Sequence, residues 1–121
     1  MTKRILVIED TEDNRQIIRD LMTSAGYEMI EAVDGLDGVA AAEREKPDLI
    51  LMDIQLPGID GYEATRRIRA IPDLAKVPII AVTSYALSGD EAKTREAGCD
   101  GYVAKPFSPR QLLAKVREFL P

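Results

Sequence analysis

Apolar residues come in short bursts along this chain, and two periods alternate between them. "ILVI" at 5–8, "LILM" at 49–52, "PIIAVT" at 78–83 and "GYVA" at 101–104 are compact runs rich in β-branched side chains. Continuous runs of that length fit strands buried on both faces. "YEMIEA" at 27–32 alternates apolar and acidic positions, which predicts a strand at a sheet edge. The segments between the runs have helical spacing. Ile17, Ile18, Leu21, Met22 and Ala25 form one stripe, which Gly26 should end as a left-handed cap. Residues 36–46 are rich in alanine and are closed by Pro47. Asp60 and Glu63 read as a capping box opening a helix that buries Ile68 and Ile71. Ser88 and Glu91 open another, stopped by Gly98. Ser108, Pro109 and Gln111 combine an N-cap, a proline at the first helical position and a capping-box glutamine. Leu112, Leu113, Val116, Phe119 and Leu120 supply the apolar face that follows.

Five strands alternating with five helices predict an α/β fold, a doubly wound parallel five-stranded sheet covered on both faces. Right-handed crossovers favour the strand order 2-1-3-4-5, with "YEMIEA" at the edge. This is the flavodoxin-like (βα)5 three-layer sandwich. At 121 residues the chain fits one domain, 1–121, with no output domain expected after the last helix.

Composition narrows the chemistry. No stretch approaches the ~20 apolar residues of a membrane span. A net charge of −5 disfavours direct nucleic-acid binding, which usually needs a basic patch. The single cysteine, Cys99, excludes an internal disulfide and fits a reducing cytoplasm. With no histidine, the commonest general base and metal ligand are both missing, so any metal must be held by oxygen.

In an open parallel sheet of this order, ligands bind beyond the carboxyl ends of the strands, where the order reverses between strands 1 and 3. Strand 1 ends in Glu9-Asp10 and strand 3 in Asp53. Strand 4 adds Thr83 and Ser84, and strand 5 adds Lys105-Pro106. Each has a plainer reading, as helix cap, turn residue or surface lysine; their joint occurrence at one crevice is the informative fact. Crowded carboxylates without histidine or a second thiol call for a hard divalent cation, and Mg²⁺ is the obvious one. Mg²⁺ points to phosphoryl chemistry, in which a carboxylate can be the nucleophile. Asp53, at the tip of the central strand, is the candidate. Lys105 and the Thr83 hydroxyl would be further donors to the phosphoryl oxygens.

These motifs together resemble the response-regulator receiver domain of two-component signalling. "VIED" is similar to the acidic pair after strand 1, and "LMDIQLPGIDG" to the phosphoacceptor signature. "AVTSYA" carries the hydroxyl and "YVAKPF" the aromatic, lysine and proline. The resemblance spans all 121 residues. It implies that Asp53 is phosphorylated and that Asp10 and Asp53 bind Mg²⁺ directly. The backbone carbonyl of Gln55 would assist, and Glu9 would act through a water. Thr83 and Lys105 would hold the phosphoryl group, with a cis peptide between Lys105 and Pro106.

Tyr102 would be the aromatic that turns inward as Thr83 moves. Gln55 and Tyr85 flank the site, Tyr85 being expected to shield the phosphate from water, and Ser84 stands where alanine is frequent. Among single-domain receivers the loops are most similar to the DivK type, which regulates histidine kinases of cell division. The implied partners are a histidine kinase or histidine phosphotransfer protein. A downstream protein would be met through the face of the fourth helix, fifth strand and fifth helix, by a monomer or weak dimer. The fourth helix offers only alanines as apolar contacts and is the expected moving element.

Other classes fit less well. A haloacid-dehalogenase-type phosphatase needs a second acid two residues after its nucleophile, where Gln55 stands. A flavodoxin-like cofactor binder needs a phosphate loop after strand 1, where "EDTEDN" would repel an anion. A phosphorylation-independent pseudo-receiver would not need the full set of site residues, all of which are present. The chain is therefore expected to be a phosphoacceptor switch and not an enzyme acting on a separate substrate.

Overall fold

The computed structural model describes residues 2–84 and 90–121. Five strands are formed: β1 (Arg4–Ile8), β2 (Glu28–Ala32), β3 (Leu49–Asp53), β4 (Ile79–Thr83) and β5 (Gly101–Ala104). Between and after them run α1 (Glu12–Ser24), α2 (Gly35–Glu45), α3 (Gly61–Arg69), α4 (Asp90–Ala97) and α5 (Pro109–Phe119). The strands pair in parallel in the order β2-β1-β3-β4-β5, as the pattern of apolar runs requires. "YEMIEA" takes the edge.

Because side chains alternate across a strand, each central strand feeds two cores. Leu6, Ile8, Ile50 and Met52 pack with Ala41 and Ala42 of α2 and Ala64 and Ile68 of α3. Ile5, Val7, Leu49 and Leu51 pack on the other face with Ile18 and Met22 of α1 and Leu112 and Val116 of α5. Each large aliphatic so buried contributes about 1.5–3 kcal/mol. β3, buried along its whole length, therefore ends in a stiff tip at Asp53.

The punctuation follows local chemistry. Gly26 and Gly98 take the positive φ angles expected of left-handed helix ends, 95° and 113°. Ser108 and Gln111 form the full reciprocal capping box at the start of α5. Asp60 caps α3 in one direction only. Its carboxylate accepts from the Glu63 N–H, but Glu63 turns its own carboxylate to Arg66 and Arg67, which compete for it with full charges.

Three further expectations are corrected. Ile71 is not on the buried face of α3. It precedes Pro72, whose ring disfavours the helical conformation in the residue before it, so the helix stops at Arg69 and a 3-10 turn, Pro72–Leu74, follows. Ile71 is half-buried, and Leu74 fills the interior position instead. Ile17 is 51% exposed, because the stripe facing the sheet is carried by Ile18 and Met22, with Leu21 packed at its side. α4 does not rely on alanines alone, since Thr94 is buried beside Ala97, its hydroxyl satisfied by the carbonyl of Glu91 at 2.7 Å. The capping residue expected at Ser88 lies outside the described residues.

Candidate functional site

The carboxyl ends of β1 and β3 lie side by side, with Ile8 opposite Met52 in register. The next residues along each strand are therefore neighbours. One carboxylate oxygen from each of Glu9, Asp10 and Asp53 falls within 4.8 Å of the others. Glu9 and Asp53 are almost fully buried, at 2% and 3% exposed, while Asp10 opens to solvent.

Hydrogen bonds hold two of the three acids tightly. Glu9 Oε1 accepts from Asn14 Nδ2 at 2.9 Å and from Lys105 Nζ at 3.2 Å, and its Oε2 accepts from the Thr11 N–H at 3.3 Å. Asp53 Oδ1 accepts from the Gln55 N–H at 3.1 Å, and its Oδ2 lies 3.3 Å from Lys105 Nζ. Lys105 thus bridges the two buried carboxylates. Burial works against its charge, but Asp53 and Glu9 outweigh that and hold the ammonium above its ordinary pKa. Asp10 is shifted up by its hydrogen bond to Glu9, by partial burial and by the neighbouring charge of Glu9. One ammonium among three acids leaves negative charge over, and Asp10 is the acid that stands open to solvent.

Hard oxygen donors in this arrangement fit a small divalent cation such as Mg²⁺, which takes one or two carboxylates and fills its remaining positions with water and phosphate oxygens. Behind them the chain is packed to backbone contact. A Cβ on Gly61 would lie 2.4 Å from the Asp53 carbonyl oxygen, so only glycine lets α3 begin this close to the acid.

The other expected residues fall around this centre. Thr83 is fully buried at the end of β4, one position beyond the Asp53–Val82 pair, and its carbonyl accepts from the Lys105 N–H at 2.8 Å. The Lys105–Pro106 peptide is cis. Ser84 and Pro106 are exposed and line a groove with Asn14, Ile17, Lys105 and Phe107. Gln55 is exposed on the loop after Asp53. Tyr102, on β5 opposite Ala81 of β4, is half-buried and packs against the core cluster that contains Ala81 and Cys99. Tyr85 lies outside the described residues.

Sequence reasoning missed Asn14, Arg15 and the Thr11 N–H. Asn14 binds the Glu9 carboxylate, and Arg15 donates to the Glu9 carbonyl at 2.7 Å. For Asn14 and the Thr11 N–H the signal was available. α1 starts only two residues after Asp10, so its first turn must stand over the acidic pair.

Residues 5–117 match the response regulator receiver domain model. The polar-differentiation response regulator DivK of Brucella ovis is 41% identical over 120 residues, covering 99% of this chain and 98% of that protein. Among solved structures, the receiver domain of a sensor histidine kinase from Pseudomonas aeruginosa superposes with a TM-score of 0.92 at 41% identity, covering 99% of this chain and 98% of that one. That structure has a magnesium ion coordinated in its active-site cleft. The chemotaxis protein CheY4 of Vibrio cholerae superposes with a TM-score of 0.94 at 26% identity, covering 98% of this chain and 99% of that one.

Proposed function

This chain belongs to the response regulator receiver domain family, and from that premise we propose that it is a phosphoacceptor switch with Asp53 as the acceptor. The observation that carries the reading is the convergence of Glu9, Asp10 and Asp53 within 4.8 Å, with Lys105 on the two buried members. An Asp53 carboxylate oxygen attacks the phosphorus of a phosphohistidine on a kinase or phosphotransfer protein. The P–N bond breaks, and the imidazole leaves with the electron pair. The carboxylates of Asp10 and Asp53 and the carbonyl of Gln55 would hold Mg²⁺, with Glu9 acting through a water, and the ion would neutralise charge on the phosphoryl oxygens. Lys105 and the Thr83 hydroxyl donate to those oxygens. The rigid tip of β3 keeps the nucleophile aimed, and its burial limits the water that competes with it.

Phosphorylation adds charge beside Thr83, and the response passes through α4, Tyr102 and the face of α4, β5 and α5 to a protein partner. The likeness to a polar-differentiation regulator over nearly its whole length supports cell-division histidine kinases as the proposed targets.

Intact mass after incubation with a small acyl phosphate tests the reading. The expected result is a gain of one phosphoryl group that needs Mg²⁺ and is absent in Asp53→Asn. A gain surviving in that variant would move the acceptor to another carboxylate. No gain from either the acyl phosphate or a cognate kinase would make the chain a phosphorylation-independent binding module.

A further inference from the structure

Of the three acids, Asp10 has the least holding it. Lys105, Asn14 and the Thr11 N–H fix the Glu9 carboxylate, and Lys105 and the Gln55 N–H fix Asp53. Among the described residues no ion pair holds Asp10, and its side chain is exposed. Its carboxyl group leans on the neighbouring Glu9 side chain by a hydrogen bond, so its direction depends on Glu9 and on the peptide that joins the two, the Glu9 carbonyl and the Asp10 N–H. Arg15 fixes that peptide. Its guanidinium donates from Nη1 to the Glu9 carbonyl oxygen at 2.7 Å in a buried bond, while the Glu9 N–H is bound to the Ala32 carbonyl at 3.1 Å. The same guanidinium is tethered on its other edges. Nη2 is paired with Glu12 in the first turn of α1, and Nε lies 3.4 Å from Glu31 Oε1 on β2. A planar cation drawn to three partners is held in the orientation that donates to the carbonyl, and so steadies the carbonyl it binds.

We propose that Arg15 is a positioning residue for the cation site, setting the geometry of Asp10 through the Glu9–Asp10 peptide and thereby favouring Mg²⁺ over larger divalent ions. The proposal rests on the reading of this site as a Mg²⁺ site. Its physical basis is the difference between the two common hard cations. Mg²⁺ demands a near-ideal octahedron, whereas Ca²⁺ accepts six to eight oxygens in flexible geometry. An acid whose backbone is released costs Mg²⁺ binding far more than Ca²⁺ binding. Charge alone predicts the reverse sign, since removing a nearby cation draws any divalent ion in more strongly.

Arg19 supplies a matched control. It shares Glu31 and Glu12 with Arg15, binding Glu31 at 2.8 Å, but makes no bond to the Glu9 carbonyl. The test is calorimetric titration of MgCl₂ and CaCl₂ into wild type, Arg15→Gln, Arg15→Lys and Arg19→Gln. In Arg15→Gln the Mg²⁺ dissociation constant is expected to rise about tenfold, the scale of losses when a residue supporting metal ligands is removed. The Ca²⁺ constant should change by less than about threefold, given that ion's tolerance of geometry.

Arg19→Gln should weaken neither ion. Arg15→Lys, which keeps a donor but not the fork, should fall between wild type and Arg15→Gln, and it carries the test if Arg15→Gln does not fold. Equal weakening of both ions, or no difference between Arg15→Gln and Arg19→Gln, overturns the positioning role. A wild-type chain that binds no Mg²⁺ overturns the site reading itself, a failure recognisable because it precedes any substitution.

Discussion

On one side of Asp53 stand the Glu9–Asp10 turn and α1; on the other stand Thr83 and α4. α1 is 13 residues long and places Ile18, Met22 and the Arg15 side chain in the interior, tying the acidic turn to the helix and to β2. α4 is eight residues long and, among the described residues, sets only Thr94 and Ala97 fully inside. Among the described residues, the two flanks of the acidic cluster set side chains of very different size inside. A phosphoacceptor with a built-in reporter needs both. The cation and nucleophile side must hold still, because a small misplacement of ligands or attacking oxygen is costly. The reporting side must have a second arrangement within reach, and segments with little buried apolar contact are the ones that open or shift first.

The largest effects should separate the flanks directly. Ile18→Ala removes a fully packed side chain from the α1 core and should cost about 3 kcal/mol of unfolding free energy. Ala97→Gly, the strongest comparably mild change on α4, should cost about 1 kcal/mol. Urea unfolding at neutral pH reads both. Equal losses would mean that α4 is anchored as firmly as α1, and the contrast would fail.

A second, smaller effect concerns how the firm flank tolerates its own charge. Without Lys105, Glu9 and Asp53 are left as buried, uncompensated carboxylates. Lys105→Met should therefore cost about 2 kcal/mol in metal-free buffer, below the full penalty for a deeply buried pair because the lysine is partly open to water. Mg²⁺ should restore most of that loss, because it supplies the missing positive charge; a loss indifferent to Mg²⁺ would place the cation elsewhere. The pH dependence has a definite sign. The Lys105 pKa is raised, so its stabilisation is complete below its ordinary value of 10.5 and is lost as pH rises through the raised one. Wild type should show this alkaline decline, and Lys105→Met should lack it.

The difference between the flanks also governs how much could be read from the chain. Strands with continuous apolar runs, such as residues 49–52, and helix ends marked by Gly26, Gly98 and the Ser108–Gln111 box are local signals, and local signals give the sheet order and the crevice. The convergence of Glu9, Asp10, Asp53 and Lys105 follows from topology, because the carboxyl ends of neighbouring parallel strands must lie together. Arg15 was not legible in the same way. Its role depends on which rotamer it takes over a carbonyl, and an arginine in an "EDNR" stretch reads equally well as a solvated helix residue. Ile17 and Ile71 were misread for the opposite reason. Apolar spacing marks candidates for burial, but the width of the packed face and a following proline decide which of them enter.

The smallest expected effect probes the yielding flank at a single atom. Cys99 follows the glycine that ends α4; its N–H binds the Thr94 carbonyl at 2.9 Å and its Sγ lies 3.7 Å from the Thr65 hydroxyl. Burial pushes the thiol pKa above its ordinary value of 9.0, so the native chain carries little reactive thiolate at pH 8. Reaction with a disulfide reagent at that pH should run at least ~100-fold slower than in urea-unfolded chain, limited by opening of the segment around the thiol. If α4 is the weakly held element, that opening is local. The rate should then stay nearly flat as urea rises through concentrations below the unfolding midpoint, because little new surface is exposed. A rate that climbs with urea as steeply as global unfolding would show that the thiol is released only when α1 and the acidic turn come apart with it. The same raised pKa gives a stability contribution complete below pH 9.0 and lost as pH rises through the folded value, which Cys99→Ala should abolish.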